Sequence, residues 1–245
     1  MNTLEKFREN EEDKKYHQQK NQQKFVPMLM STPMVYAIEN GTKTETRRIV
    51  KYNKEINDPK IGFSMFTNPN QFEVRGIHKN GEYGSSFFKL KIKKGDIIWV
   101  RETWAEAGNF ASDFIDNSEV LAYKTQEAFL LENKEKLDTS YWNWDKIKWK
   151  PSIFMPKQAC RIFLEVANVK IQRLQDITEQ EAINEGIVRY GDHFEDYIDR
   201  NMYLDNAITS FKTLWQSING TESWDQNPFV FVYQFKKVEK PVNFI

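Results

Sequence analysis

Phe229-Val230-Phe231-Val232-Tyr233-Gln234-Phe235-Lys236-Lys237-Val238 starts apolar at consecutive positions and turns polar only toward its end. Successive side chains of a strand point to opposite faces, so a strand apolar at consecutive positions is covered on both. The stretch therefore reads as a central strand, entered through the turn Asn227-Pro228. Other strand-like runs surround it in the sequence. Residues 25–30 and 97–104 are short apolar runs, the second launched by Lys94-Gly95-Asp96. Residues 159–174 read as one long or two short strands, and 119–125 as another. Residues 72–78 and 85–92 alternate on either side of Asn80-Gly81 and read as a hairpin.

Few helices lie between these strands. Ser31-Thr32-Pro33 offers hydroxyl caps and then a proline in the first turn, and Asn40-Gly41 is a stop signal. Thr178 with Glu181 matches a capping box, and Gly186 ends that helix. Leu204, Ile208, Phe211, Leu214, Trp215 and Ile218 recur at helical spacing, which predicts an amphipathic helix over 204–218. Residues 126–137 have helical spacing too. Many short strands with scattered helices predict an α+β fold around a small mixed or barrel-like sheet. Residues 1–24 read as a polar tail and 25–245 as a single domain. Insertions are expected near 51–92, 106–148 and 188–200. Of these, 51–71 reads as a polar surface excursion and 188–200 as a charged loop. Pro151 and Pro156 bracket a piece expected to be extended.

Composition narrows the function classes. Lys+Arg and Asp+Glu both number 35, so no whole-protein basic field draws in nucleic acid, and any such contact needs a local patch. A single cysteine, Cys160, allows neither an internal disulfide nor a thiolate metal cluster, and it reads as buried filler. His17, His78 and His193 lack ligand spacing, so no metal is expected. No phosphate-loop or dinucleotide fingerprint is present, so no cofactor is expected either. No run approaches the ~20 apolar residues of a membrane helix. The acidic start lacks a signal-peptide core, which predicts a cytoplasmic protein with no membrane partner.

The densest chemistry lies in Gly41-Thr42-Lys43-Thr44-Glu45-Thr46-Arg47-Arg48. A threonine hydroxyl needs a neighbouring amine or carboxylate to become a nucleophile. Lys43 and Thr46, three residues apart in a loop, can face one pocket. The plainer reading is a solvated loop whose cations complement the end of the preceding helix. The run 141–149 interleaves Trp142, Trp144 and Trp149 with Lys146 and Lys148. It reads as a loop pinned by aromatics, or else as a base-stacking patch.

Several separated blocks, among them STPMVYAIENGTKTETRR, KKGDIIWVRETWAE, LQDITEQEAINEG and LWQSINGTESWDQNPFVFVYQF, resemble the ASCH domain family, its larger phage and prophage members above all. The resemblance spans roughly 25–238. It implies a PUA-like β-barrel with flanking helices that binds RNA or modified nucleobases. Small bacterial members include amidohydrolases that deacetylate N4-acetylcytidine. Their motif G-x-K-T-x-T with a distant glutamate falls on Lys43, Thr46 and Glu185, which the resemblance makes the catalytic groups. This chain is more than twice the size of those enzymes, and it carries Glu45 where they have an apolar residue.

Two function classes follow. In the first, Thr46 attacks, or activates water to attack, an acyl carbonyl on an exocyclic base nitrogen. Lys43 stabilises the oxyanion and Glu185 shuttles the proton. In the second, a non-catalytic module binds a nucleotide or a nucleic acid, RNA sooner than duplex DNA. Thr44, Arg47, Arg48, Arg101, Glu102 and Trp104 are the expected substrate or nucleic-acid contacts, with Trp99 or Trp104 stacking on the base. A duller third possibility is an accessory protein that acts through its N-terminal tail. The sequence carries no signature of oligomeric state.

Overall fold

A computed structural model describes residues 23–51, 56–63, 71–78, 82–106, 121–124, 147–199 and 201–244. In chain order the strands of the first half are β1 (Phe25–Leu29), β2 (Glu45–Ile49), β3 (Ile56–Phe63), β4 (Gln71–His78), β5 (Tyr83–Lys89), β6 (Ile97–Arg101), β7 (Trp104–Glu106) and β8 (Leu121–Tyr123). The second half holds β9 (Phe163–Arg173), β10 (Arg189–Tyr190), β11 (His193–Glu195), β12 (Tyr203–Leu204) and β13 (Phe229–Val238). The helices are α1 (Thr32–Glu39), α2 (Glu179–Asn184) and α3 (Ala207–Asn219).

β13 lies inside a five-stranded sheet of order β1-β6-β9-β13-β2, as its apolar run predicts. It pairs antiparallel with β9 from Phe229↔Arg173 to Val238↔Phe163, and with β2 from Val230↔Ile49 to Gln234↔Glu45. β1 runs parallel to β6, so the sheet is mixed. Val230 and Val232 pack on one face with Ala182, Phe211 and Trp215 of α2 and α3. Tyr233 and Phe235 pack on the other with Met28, Ile98, Val100 and Leu164. Each buried Val, Leu, Ile, Met or Phe among them contributes on the order of 1.5–3 kcal/mol. Among the described residues no backbone ladder joins the edges β1 and β2, and no barrel closes. The Arg48 guanidinium on β2 instead donates to the Leu29 carbonyl of β1 at 3.1 Å.

The α+β class stands, and several local expectations change. Residues 51–71 contain β3, which pairs with β4, while β4 and β5 form the expected hairpin. Backbone ladder bonds make a strand of a polar segment that shows no alternation. Residues 188–200 contain β10 and β11, which form a small sheet with β12. Phe194 anchors it in the α2–α3 core, and strands of two or three residues are too short to show a period. The run 97–104 breaks after Arg101, and β7 turns away to pair with β8. Residues 151–156 form a 3₁₀ turn at Ser152–Phe154 instead of an extended piece. Residues 126–137 and 141–146 lie outside the described residues, and with them Trp142 and Trp144.

The helix boundaries follow their caps. Thr178 Oγ1 accepts from the Glu181 amide at 3.3 Å, and Glu181 Oε2 accepts from the Thr178 amide at 3.2 Å. Asn206 caps α3 through the Thr209 amide, which moves the start from 204 to Ala207. Ser31 takes the N-cap position of α1, but its hydroxyl makes no capping bond.

Cys160 is buried, and its thiol donates to the Ile162 carbonyl at 3.3 Å. Burial pushes the thiol up to about 11, which suppresses the reactive thiolate. An aromatic disulfide reagent is expected to leave native protein unlabelled and to titrate one thiol per chain in denaturant. Rapid labelling of the native protein would contradict this packing.

Candidate functional site

The site begins where α1 ends. Gly41 adopts φ +80°, and the chain turns beside α2. The Lys43 amide donates to the Ala37 carbonyl at 2.8 Å, and the Thr44 amide donates to the Asn184 carbonyl at 2.8 Å. Lys43 also forms an isolated β-bridge with Glu185. Gly186 makes this approach possible. Its φ is +81°, and a Cβ there would lie 2.7 Å from Lys43 Cβ and 2.8 Å from Ala37 Cβ. The cluster then continues as β2, not as the expected loop. Pairing with β13 fixes the direction of each side chain.

Glu45 and Arg47 point toward α2. Lys43 Nζ donates to Glu185 Oε2 and to the Glu185 carbonyl, both at 2.7 Å. Arg47 Nη1 donates to Glu185 Oε1 and Arg47 Nη2 to Glu181 Oε2, both at 2.9 Å. Glu45 Oε2 lies 3.6 Å from Arg47 Nη1, and Glu45 Oε1 accepts from Gln234 at 2.8 Å. Lys170 completes the group on Glu181. The cations Lys43, Arg47 and Lys170 thus face the carboxylates Glu45, Glu181 and Glu185. The lysine does not complement the α1 terminus, because a buried carboxylate is the stronger partner.

Lys43 has no exposed side-chain surface, and Glu185 is 4% exposed. Burial lowers the Lys43 pKa, Glu185 opposes that shift, and Arg48 and Arg47 add to it. Burial works against the Glu181 charge too. Hydrogen bonds from Lys170, the Thr178 amide and Gln172, together with Arg47, nevertheless hold that carboxyl below its ordinary range.

Thr46 and Arg48 point the other way, beside Tyr233. Thr46 is fully buried, and its Oγ1 accepts from Arg48 Nη1 at 2.9 Å. Thr46 makes no hydrogen bond to Lys43 or Glu185 among the described residues. The structure therefore joins Lys43 and Glu185 directly, while Thr46 is bonded to Arg48 on the opposite face of β2 and stands apart from the pair. Tyr233, opposite Thr46 in the ladder, has its hydroxyl pushed up to about 12 by burial, against the pull of Arg48.

A cavity of about 680 Å³ opens between β1, β2 and α3. Arg47, Arg48 and Glu185 form its charged end, and Met28, Phe211 and Leu214 are part of a mainly apolar wall. This volume falls within the usual range of small-molecule sites.

The other expected contacts lie elsewhere. Thr44 is exposed, and its backbone is held by Asn184 and Phe235. Arg101 donates to the Ile153 carbonyl and lies over Trp99. Glu102 is clamped by the Arg161 fork at 2.9 and 3.0 Å. Trp104 and Trp99 are 5% and 8% exposed in a third core cluster with Met155 and Phe163, so neither is a stacking surface. Sequence reasoning missed Tyr233, Lys170 and the α3 wall. It read Glu181 only as a cap, although the same carboxylate also receives Arg47. No family model, curated protein or solved structure matches the chain.

Two outcomes test this geometry. Gly41→Ala has open space and is expected to cost only its left-handed backbone, about 1 kcal/mol. Gly186→Ala adds overlap with Lys43 and Ala37, for a total of roughly 2–4 kcal/mol in urea unfolding. Equal losses would remove the close approach. Glu181 contributes stability that is complete above its ordinary value of 4.5 and is lost as pH falls through its lower folded value. The stability gap between wild type and Glu181→Gln should therefore shrink below that pH, and a gap independent of pH would contradict the network.

Proposed function

We propose that the chain is an amidohydrolase of the ASCH type that removes an acyl group from the exocyclic nitrogen of a nucleobase. The observation supporting this reading is that Lys43 and Glu185, 142 residues apart in sequence, share a buried ion pair, with Glu185 on the wall of a cavity. Thr46 Oγ1, or a water that it orients, adds to the acyl carbonyl carbon. The carbon–nitrogen bond breaks as Glu185 passes a proton to the departing amine. Where water is the nucleophile the acyl group leaves directly as a carboxylate, and where Thr46 is the nucleophile a water then hydrolyses the Thr46 ester, releasing the carboxylate and restoring the hydroxyl. A hydroxyl that accepts from Arg48 keeps its own proton free to leave, and the guanidinium stabilises the resulting alkoxide. The depressed pKa of Lys43 suits an amine that exchanges a proton with Glu185 and steadies the oxyanion. On this reading the five-stranded sheet is a PUA-like barrel whose open seam Arg48 spans. The substrate is a nucleoside or an RNA base, in a cytoplasmic setting.

A second reading, a non-catalytic nucleotide or RNA module, has its own observation. Thr46 is fully buried with Arg48 on its oxygen, and both Glu185 oxygens already receive cations.

Hydrolysis of N4-acetylcytidine by purified protein, followed by chromatography, separates the two. Wild type is expected to release cytidine. Thr46→Ala is expected to lose about a hundredfold or more in turnover while still binding. Lys43→Ala and Glu185→Ala should be inactive as well. A folded wild type without turnover overturns the amidohydrolase and favours the module.

A further inference from the structure

Among the described residues, the charged ones on the cavity wall are Arg47, Arg48, Lys91 and Glu185, three cations against one carboxylate. Glu185 is already engaged by Lys43 and Arg47. Arg47 is matched again by Glu45 and Glu181 behind it. Arg48 differs from its neighbour. Its guanidinium donates to Thr46 Oγ1, the Arg47 carbonyl, the Leu29 carbonyl and the Met30 sulfur, all neutral acceptors. It has no carboxylate within salt-bridge distance among the described residues. A partly buried cation among neutral acceptors and apolar side chains is costly unless an anion joins it. Burial lowers the Arg48 pKa, opposed by the more distant Glu185 and by Tyr233.

A second observation concerns the same wall. Arg47 Nε and Trp215 Nε1 are buried without an acceptor, and both residues line the cavity. Buried N–H donors are normally satisfied, so these two lining residues each keep one donor unserved, while Glu45 Oε2 behind Arg47 is an acceptor likewise without a hydrogen bond. Exposed Lys91 adds positive charge at the rim. The rest of the lining, including Met28, Met34, Phe211 and Leu214, fits a flat apolar body.

We infer that the cavity takes an organic anion, with a phosphate or carboxylate oxygen paired to Arg48 and an apolar ring lying against β1 and α3. This inference rests on the cavity being the ligand site of the proposed reading, and it narrows that reading from nucleosides to nucleotides. Arg48 exchanges one neutral acceptor for the oxyanion, which is a stronger partner. An Arg48 that served only to staple β1 to β2 would respond to no ligand charge.

The test uses two pairs of probes, each matched in body and different in charge: cytidine 5′-monophosphate with cytidine, and phenylacetate with phenylacetamide. Affinities are measured by calorimetry for wild type, Arg48→Gln and Arg48→Lys, with thermal unfolding alongside. In wild type the anion of at least one pair is expected to bind roughly tenfold more tightly than its neutral partner, and less tightly as salt is raised. Arg48→Gln should abolish that gap and change neutral binding by less than about twofold. Arg48→Lys keeps the cation but loses the fork, so it should retain part of the gap.

The phosphate arm and the carboxylate arm identify the source of the oxyanion. A charge gap for phenylacetate without any binding of the nucleotide supports the anion site and overturns the nucleobase reading. Hydrolysis of N4-acetylcytidine with no charge gap in either pair keeps the reaction and overturns the anion site. Equal losses for both members of a pair in both variants, together with lower thermal stability, assign Arg48 to structure alone and overturn the inference.

Discussion

The buried Lys43–Glu185 pair constrains the rest of the molecule around it. Two charges removed from water cost several kcal/mol each unless geometry and hydrogen bonding compensate, so the elements that carry them cannot drift. Lys43 lies between α1 and β2, and Glu185 is the C-cap residue of α2. Holding the pair at 2.7 Å fixes α2 against the outer edge of the sheet. It also requires Gly186, because any side chain there would meet Lys43. Arg47, Glu181 and Lys170 extend the constraint along α2 to β9, so helix and sheet are joined by charge where their apolar contacts end.

The same interaction explains where the cavity lies. α2 and α3 share an apolar cluster that covers Val230 and Val232 on one face of β13. Phe211 of α3 lies under the Arg47 guanidinium, 5.6 Å from ring centroid to cation, so α3 is positioned partly through the ion network. Phe211, Leu214 and Trp215 then supply one wall, and β1 supplies the opposite one. A mainly apolar chamber lined by a few charged side chains suits a ligand with a polar head and a ring-like body.

How much of this was legible in the sequence depended on whether the signal was local. Consecutive apolar residues mark β13 as an interior strand, and Thr178 with Glu181 marks the start of α2. Lys43 and Glu185 were singled out by resemblance to a motif, and nothing in composition or spacing could bring together residues 142 positions apart. Glu45-Thr46-Arg47-Arg48 shows no apolar alternation, so the sequence of β2 carries no local strand signal. Its strand character comes from the β13 ladder and from carboxylates on a distant helix, neither of them visible locally. Glu102 and Trp104 are engaged inside the fold for the opposite reason. Their residue types suit a site, but Arg161 and the Met155–Phe163 core occupy them. Residues 188–200 read as a charged loop because β10 and β11 are too short for periodicity to register.

Arg47 and Arg48 show how pleating turns one dibasic step into two environments. Adjacent strand residues face opposite sides, and β2 has a different neighbour on each. Arg47 faces α2, where Glu181 and Glu185 neutralise it. Arg48 faces the gap toward β1, where the nearest acceptors are a hydroxyl, two carbonyls and a thioether. Backbone carbonyls at a sheet edge satisfy hydrogen bonds but do not cancel charge, so the same geometry that tethers β1 to β2 leaves a cation on the cavity wall. A neutral side chain could span the gap at a lower desolvation cost. The guanidinium therefore does two things at once: it ties β1 to β2 through the Leu29 carbonyl, and it presents a positive charge to the cavity.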